Sequence, residues 1–190
     1  MDRRAPTITI AAPASATFTL GQTVNSGYGC TDGGSGIVTC SASVPSGAPI
    51  DTATVGTRAF TVSSSDAVGN PSIASEHYTV TYGVCPLFDA TKAHKAGSTI
   101  PIKLNLCSAA GANVSSSGVT IIGTGVHLIS TNAPGPLEDS GNANPDNQFR
   151  FADGSYIFNL SLKGFSQGTY ALEFTAGADP MRHSIQFQVR

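Results

Sequence analysis

The side chains of this sequence that could carry chemistry are its serines, histidines, carboxylates and cysteines. Ser35 lies in Gly33-Gly-Ser35-Gly36, which is one residue short of the G-x-S-x-G nucleophile elbow and has no strand–turn–helix context. The histidines show neither H-x-H nor H-E-x-x-H spacing, and they are His77, His94, His127 and His183. These patterns predict ordinary surface or strand-edge polarity, and no catalytic residue.

Neighbouring carboxylates are the next candidates. Glu138, Asp139, Asp146 and Asp153 lie close together in the sequence. A glycosidase needs two carboxylates about 5–10 Å apart on a rigid groove. Such grooves are usually lined by Trp or Tyr for sugar stacking, and this chain has no Trp. The sequence therefore does not favour a glycosidase.

Several oxygen-bearing side chains in one polar segment could instead bind calcium. The candidate ligand loop consists of Asp139, Asn142, Asn144, Asp146 and Asn147. It lacks the bidentate Glu that closes an EF-hand loop. Asp32, Asp66 and Asn70 form a second candidate set at a domain edge, and Asx-type turns account for both sets without a metal. The sequence predicts no cofactor, and calcium stays the alternative.

The cysteines point to disulfides rather than to a metal. Cys30, Cys40, Cys85 and Cys107 permit three pairings, of which the local one, Cys30–Cys40 and Cys85–Cys107, is the simplest. Each local loop would stabilise the fold by about 3 kcal/mol. There is no C-x-x-C, and no histidine is spaced to complete a zinc site. Disulfides in turn predict an oxidising compartment.

The charge of the chain is low and scattered. Charged residues make up 12% of the sequence and the net charge is −2, whereas an average protein has about 25% charged residues. The ten basic residues form no stripe that would neutralise phosphates, so nucleic-acid binding is not expected. No apolar run approaches the roughly 20 residues of a membrane helix, so membrane insertion is not expected either.

Hydrophobic patterning predicts strands throughout and no helix. Short alternating or β-branched runs are separated by Gly, Pro, Asn and Ser clusters. In the first half these runs are 7–11, 17–20, 25–30, 37–41, 58–64 and 76–82. In the second half they are 98–106, 119–122, 126–130, 148–151, 156–162, 169–175 and 184–189. About seven short strands in some 80 residues is typical of a small β-sandwich, so we expect two in tandem.

The alternation also predicts the inward faces and the connections. The inward sets are Phe60 and Val62; Tyr78, Val80 and Tyr82; Tyr156, Phe158, Leu160 and Leu162; Tyr170, Leu172 and Phe174; and Ile185, Phe187 and Val189. Residues 66–71 read as a turn. Residues 131–147 read as a long surface loop, a place where function is often found. The change of module is expected near residues 83–90, which gives domains 1–84 and 85–190.

The first half contains the segments Gly27-Tyr-Gly-Cys30-Thr-Asp-Gly-Gly-Ser-Gly36, Thr39-Cys40, Asp66-Ala-Val-Gly-Asn70 and Tyr78-Thr-Val-Thr-Tyr82. On these residues it resembles a bacterial extracellular Ig-like domain of the HYR type. The second half resembles the PxKF module, through Pro101-Ile-Lys103-Leu104, Tyr156-Ile-Phe-Asn-Leu160 and Lys163-Gly-Phe-Ser166. Leu104 stands where that signature has an aromatic residue. The resemblance implies two tandem immunoglobulin-like antiparallel β-sandwiches, and it carries over no catalytic residues.

The function expected from these features is structural. The resemblance implies a non-catalytic, secreted or cell-surface bacterial module that acts as a spacer beside neighbouring domains of a larger extracellular protein. One alternative is an adhesin-like module that binds polysaccharide or a surface protein through aromatic side chains, for which the candidates are Tyr28, Tyr82, Phe149 and Phe151. The other alternative is a polymer-active hydrolase of unfamiliar type, since a fold does not exclude an activity.

Overall fold

The computed structural model describes residues 2–138, 140 and 145–190. It divides into two compact units, Met1–Thr81 and Tyr82–Arg190. The described residues contain strands and one short 3-10 turn but no α-helix, which confirms the all-β prediction. The boundary expected after residue 84 lies slightly too late, because Gly83 and Val84 pair with Cys107 and Leu106 in a sheet of unit 2. Independent folding of the two units stays a prediction.

Unit 1 is a two-layered sandwich of six strands. They are β1 (Thr7–Ala12), β2 (Thr17–Thr19), β3 (Gly27–Thr31), β4 (Ile37–Ala42), β5 (Gly56–Asp66) and β6 (Pro71–Thr81). One layer is β1–β3, and the other has the order β2–β6–β5–β4. The antiparallel order β4–β5–β6 corresponds to strands C, F and G of an immunoglobulin domain.

The core of unit 1 is small and comes largely from the long β5–β6 hairpin. Its buried members are Ile50, Phe60, Val62, Tyr78 and Val80. Both strands of the hairpin have 11 residues and extend beyond the shorter runs predicted from sequence. The predicted turn is confirmed, since β5 ends at Asp66 and β6 begins at Pro71.

The outer face of this hairpin is rich in short hydroxyl side chains. Short hydroxyl side chains alternate with the core residues and hydrogen-bond across the strands. Thr61 Oγ1 and Ser75 Oγ are 2.8 Å apart, and Thr39 Oγ1 and Ser65 Oγ are 2.7 Å apart. Such cross-strand hydroxyl pairs stabilise a sheet without charged residues.

The second strand of unit 1, β2, runs in the same direction as the last strand, β6. The chain leaves β1, passes through the cis Ala12–Pro13 peptide and enters β2. β2 pairs in parallel with β6, in the register Thr17↔Thr79 and Thr19↔Thr81. Backbone hydrogen bonds from Leu20 N to Thr81 O (2.8 Å) and from Thr79 N to Ala16 O (2.9 Å) extend this pairing. The chain therefore enters unit 1 at one end and leaves it at the other.

Unit 2 is a complete immunoglobulin-like sandwich. Its strands are β7 (Gly83–Pro86), β8 (Ala93–His94), β9 (Thr99–Cys107), β10 (Ile121–Leu128), β11 (Ala133–Gly135), β12 (Arg150–Ala152), β13 (Ser155–Ser161), β14 (Gly168–Ala176) and β15 (His183–Val189). One sheet has the order β12–β13–β9–β7, and the other β11–β10–β14–β15–β8. These orders correspond to D-E-B-A and to a C-F-G sheet with one added strand at each edge.

The core of unit 2 follows the predicted alternation. Tyr156, Phe158, Leu160 and Leu162 are at most 1% exposed, and the inward residues of β14 and β15 are buried with them. Phe149 joins this core between Phe158 and Phe174, at centroid distances of 5.0 and 5.6 Å. Burial of one face fixes the register of these strands, because a slip by one residue would expose the whole apolar set.

The parallel closure of unit 1 recurs in unit 2. β8 pairs in parallel with β15, in the register Ala93↔Gln188 and Val189↔His94. Backbone hydrogen bonds link Arg190 N to His94 O (2.8 Å) and Ala96 N to Arg190 O (3.0 Å). The entering segment and the last strand again run in the same direction, so the chain also crosses unit 2 from end to end.

Several predictions for unit 2 were wrong in detail. The runs 119–122 and 126–130 are one strand, β10, because a register shift between Gly123 and Gly125 interrupts the alternation without ending the pairing. The segment 131–147 is only partly loop, since Ala133–Gly135 pairs with β10 and Pro145–Asn147 forms a 3-10 turn. The short strands β7, β8 and β11 were not predicted, because they are too short to show a period.

Both expected disulfides are present. Cys30–Cys40 joins β3 in one layer of unit 1 to β4 in the other, with 5.9 Å between the Cα atoms. Cys85–Cys107 joins the neighbouring strands β7 and β9 of unit 2, with 6.1 Å between the Cα atoms. The first bond therefore links the two layers of the smaller core, and the second fastens an edge strand.

Replacing both cysteines of one bond should destabilise only the unit that contains it. The double variant Cys30→Ser/Cys40→Ser is expected to lower the unfolding free energy of unit 1 by about 3 kcal/mol, because the unfolded chain regains the freedom of the closed loop. Differential scanning calorimetry of the full chain measures this as a lower first transition, and Cys85→Ser/Cys107→Ser serves as the reciprocal control. Parallel shifts of both transitions in either variant would contradict the division into two units.

Candidate functional site

Three carboxylates converge at the end where the chain enters unit 1. This entry end consists of residues 2–6, the turn 32–36 between β3 and β4, and the turn 66–71 between β5 and β6. Carboxylate oxygens of Asp2, Asp32 and Asp66 all lie within 4.8 Å of one another. Of the two candidate calcium sets predicted from sequence, the structure brings together Asp32 and Asp66 with Asn70 nearby. It adds Asp2, which the sequence did not indicate.

Asp66 organises the turn between β5 and β6. Its Oδ1 accepts hydrogen bonds from the backbone N–H groups of Val68 (3.0 Å) and Asn70 (2.8 Å). Its Oδ2 accepts one from Asn70 Nδ2 (2.7 Å). The Asn70 amide also donates to the Arg4 carbonyl (3.2 Å), which fastens the entering chain to the turn. This is the physical role of the D-x-x-G-N sequence.

Asp32 and Asp2 enclose the turn between β3 and β4. Asp32 Oδ2 accepts hydrogen bonds from Gly34 N (3.0 Å) and Gly36 N (2.7 Å). Asp2 Oδ2 accepts one from Ser35 N (2.7 Å), and Asp2 Oδ1 accepts one from Arg4 N (3.0 Å). A Cβ at Gly34 would collide with the Asp2 carboxylate, so the glycine is needed for this close approach.

Hydrogen bonds lower the pKa of two of these carboxylates, Asp66 and Asp2. Burial raises the pKa of Asp66, but hydrogen bonds from Asn70, Ser35 and Val68 outweigh it, so the pKa lies below the ordinary 3.8. Hydrogen bonds from the Arg4 and Ser35 backbone likewise lower the pKa of Asp2, against an opposing effect of burial. Donors that favour the charged form account for both shifts.

Asp179 plays a similar fastening role in unit 2. It lies in the turn between β14 and β15, and its side chain is fully buried. Its carboxylate accepts hydrogen bonds from Tyr82 N (2.8 Å) and Met181 N (2.9 Å), and His183 Nε2 lies 3.0 Å from Oδ2. His183, predicted to be ordinary surface or strand-edge polarity, is the first residue of β15, but its side chain is only 9% exposed and contacts Asp179.

The predicted ligand loop lies only partly within the described residues. Asp139, Asn142 and Asn144 lie outside the described residues, so a site formed with them stays a prediction. Asp146 and Asn147 have left-handed backbone, with φ of 56° and 58°. Asp146 is exposed. Left-handed Asp and Asn are common in turns, which agrees with the Asx-turn alternative.

A cavity in unit 2 borders the same loop. It has a volume of about 350 Å³ and is lined by Ser117, Val119, Thr120, Pro145, Gln148, Phe149, Arg150 and Phe151. This volume is at the low end for small-molecule sites. The four aromatics considered for sugar stacking are all buried or half-buried, and the exposed large apolar side chains of the described residues are aliphatic or methionine. The described surface thus lacks an open aromatic platform.

Acidification should weaken unit 1 through Asp66. Because its folded pKa lies below the ordinary 3.8, the ionised carboxylate stabilises the native state at neutral pH. This contribution is complete above about pH 4 and disappears as the pH falls towards the folded pKa. Asp66→Asn is expected to lower the melting temperature of unit 1 at pH 7 and to flatten its decline below pH 4. Glu76→Gln is the control, and an unchanged acid limb in Asp66→Asn would contradict the assignment.

Loss of the Asp179 carboxylate should destabilise unit 2. Asp179→Ala leaves the Tyr82 and Met181 N–H groups without their acceptor, at an expected cost of about 2–4 kcal/mol. Chemical denaturation of the full chain measures the change, and Glu138→Ala, which removes an exposed acid of the same unit, is the control. Equal stability of the two variants would show that Asp179 does not hold the entering segment.

Comparison with known proteins gives structural likeness at low identity. No protein-family model matches the sequence, and no curated protein matches it. The I-band fragment I67–I69 of titin matches with a TM-score of 0.32 and 12% identity over 100% of this chain and 66% of its own length. Extracellular domains 3–5 of Drosophila OTK match with a TM-score of 0.39 and 11% identity, over 96% of this chain and 60% of theirs.

A bacterial protein gives a match of the same kind. The Yersinia pseudotuberculosis adhesin InvE has a TM-score of 0.37 and 15% identity, over 96% of this chain and 58% of its own. This chain thus spans less than two thirds of the length of all three structures. The described residues contain no helix that is long and apolar enough to cross a membrane. The immunoglobulin-like assignment of both units rests on their strand order, and these matches add nothing about activity or partners.

Proposed function

We propose that this chain is a non-catalytic extracellular tandem of an HYR-like and a PxKF-like module that serves as a spacer in a larger secreted or cell-surface bacterial protein. The observation that carries this proposal is the parallel pairing of the entering segment with the last strand in each unit. Because the chain enters at one end and leaves at the other, each unit adds its length to the chain. At about 3.3 Å per residue, the 11 residues of β6 span about 35 Å.

Two further features support a spacer outside the cytoplasm. Each unit carries a disulfide, which favours an oxidising compartment. The outer face of β4, β5 and β6 carries mainly Ser and Thr side chains beside the exposed Ile73, and this face offers little attraction to charged partners.

The second candidate function is binding of a polysaccharide or a surface protein. The observation that favours it is the cavity beside the 131–147 segment, which combines Arg150 and Gln148 with the apolar Phe149 and Phe151. A small apolar cavity with a few polar groups is the usual form of a ligand site.

A binding panel distinguishes the two functions. The oxidised full chain is immobilised and exposed to polysaccharides, cell-wall material and matrix proteins, with and without Ca²⁺. The spacer proposal predicts no saturable binding. Saturable binding that is weakened by Arg150→Ala in the cavity, but not by Arg58→Ala in unit 1, would overturn it and establish the binding function.

A further inference from the structure

We propose that the outer face of β4, β5 and β6 docks against the same face of a second copy of this chain. This face is formed by the residues of 39–41, 57–65 and 71–77 that alternate with the core residues and point away from them. Its side chains are mainly Ser and Thr, and it carries no Lys, Arg, Asp or Glu. Self-association through this face does not depend on the spacer function.

Ile73 is an exposed apolar side chain among the hydroxyl side chains of this face. It is 72% exposed, the highest value among the large apolar side chains of the described residues. It pairs with Ser63, which in turn pairs with Ser41, so the row across the three strands places one apolar side chain beside two short hydroxyls. Neither serine is long enough to shield Ile73 from water. A partner that covered this row would remove apolar surface from water, which is favourable.

Four hydroxyl groups near Ile73 are already paired with one another. Thr61 Oγ1 and Ser75 Oγ are 2.8 Å apart, and Thr39 Oγ1 and Ser65 Oγ are 2.7 Å apart. Covering a hydroxyl is costly mainly when it is left without a hydrogen-bond partner. Because these four hydroxyls keep their partners within the sheet, a second sheet can cover them at little cost.

A second copy is the occupant that matches this face in charge and in shape. A charged partner gains no ion pair with Lys, Arg, Asp or Glu from it, and two copies bring no such like charges together on it. The two sheets have the same strand spacing and short side chains, so they can pack face to face at about 10 Å. A twofold contact also needs only one surface, because each copy presents the same patch to the other.

The size of the face predicts a weak dimer. At about 4.8 Å between strands and about 3.3 Å per residue, the three strands present about 500 Å² on each copy. A twofold contact would therefore bury about 1,000 Å² in total, which is near the lower limit for a specific interface. We expect a reversible monomer–dimer equilibrium with a dissociation constant of about 10 µM to 1 mM.

Sedimentation equilibrium of the full, oxidised chain, at concentrations up to about 1 mM, tests the proposal. We expect the mean mass to rise from that of the monomer towards that of the dimer as the concentration increases. Salt at about 1 M should not weaken the dimer, whereas an interface held by ion pairs would dissociate. A monomer mass at every concentration, or a dimer that salt dissociates, would overturn the proposal.

Two exposed isoleucines provide a matched pair of variants. Ile73 lies on the proposed interface, whereas Ile122 is 41% exposed in β10 of unit 2. Ile73→Asp places a carboxylate in the covered face and should weaken the dimer by about tenfold or more, and Ile122→Asp should dimerise like the native chain.

A second variant on the same face guards against a local effect of Ile73→Asp on folding. Ala59 is exposed there and has no side-chain hydrogen bond to lose, so Ala59→Asp should weaken the dimer to a similar extent. A cooperative unit 1 transition in calorimetry confirms that each variant is folded. Equal dimerisation of folded Ile73→Asp, Ala59→Asp and Ile122→Asp would show that another surface associates, and would overturn the proposal.

Discussion

The parallel pairing between the entering segment and the last strand is the constraint on which each unit depends. It occurs as β2 with β6 in unit 1 and as β8 with β15 in unit 2. All other strand pairings of the described residues are antiparallel. Because the parallel pair closes the edge of the C-F-G sheet, it also fixes the direction in which the chain crosses the unit. The proposed spacer function rests on this direction rather than on any one side chain.

In each unit, an aspartate in the turn before the last strand holds the start of the entering segment, at the end of the unit away from the parallel pair. In unit 1, Asp66 orders Asn70, whose amide binds the Arg4 carbonyl. In unit 2, Asp179 binds the Tyr82 N–H directly. The two units share no obvious sequence at these turns, yet both fasten the entering segment at its start and again through the parallel pair. These two attachments hold the entering segment at the edge of the C-F-G sheet.

The sequence predicted the parts of the fold that repeat locally. The alternation in Tyr156–Leu162 and Thr169–Phe174 was readable because one face of each strand is buried and the other is not. The D-x-x-G-N turn was readable because Asp and Asn form hydrogen bonds with nearby backbone. By contrast, β8 has two residues, and its pairing with Val189 depends on the tertiary fold. The bulge near Gly123 concealed the continuity of β10.

The contrast between local patterns and contacts made by the tertiary fold also explains which residues of the candidate site the sequence did not indicate. Asp32, Asp66 and Asn70 were identified from their turn sequences. Asp2 was not, because only the return of the chain in β3 and β5 brings the turns beside the entering segment. Asp179 gave no signal either, since Tyr82, whose backbone N–H it accepts, lies 97 residues earlier in the sequence. Local sequence patterns do not predict contacts between side chains that are far apart in the sequence.

Single-molecule stretching between the two ends of the chain measures the strength of the parallel pair in each unit. Force along the chain loads the parallel β2–β6 and β8–β15 hydrogen bonds in shear, so we expect two discrete unfolding events. Reduction of Cys30–Cys40 should lengthen one of them by about 30 Å, since the bond closes a separation of 10 residues. Leu20→Pro, which removes the N–H donor to Thr81 O, should lower the force of that same event and leave the other unchanged. Gradual extension without resolved events, or an unchanged force in Leu20→Pro, would contradict the account.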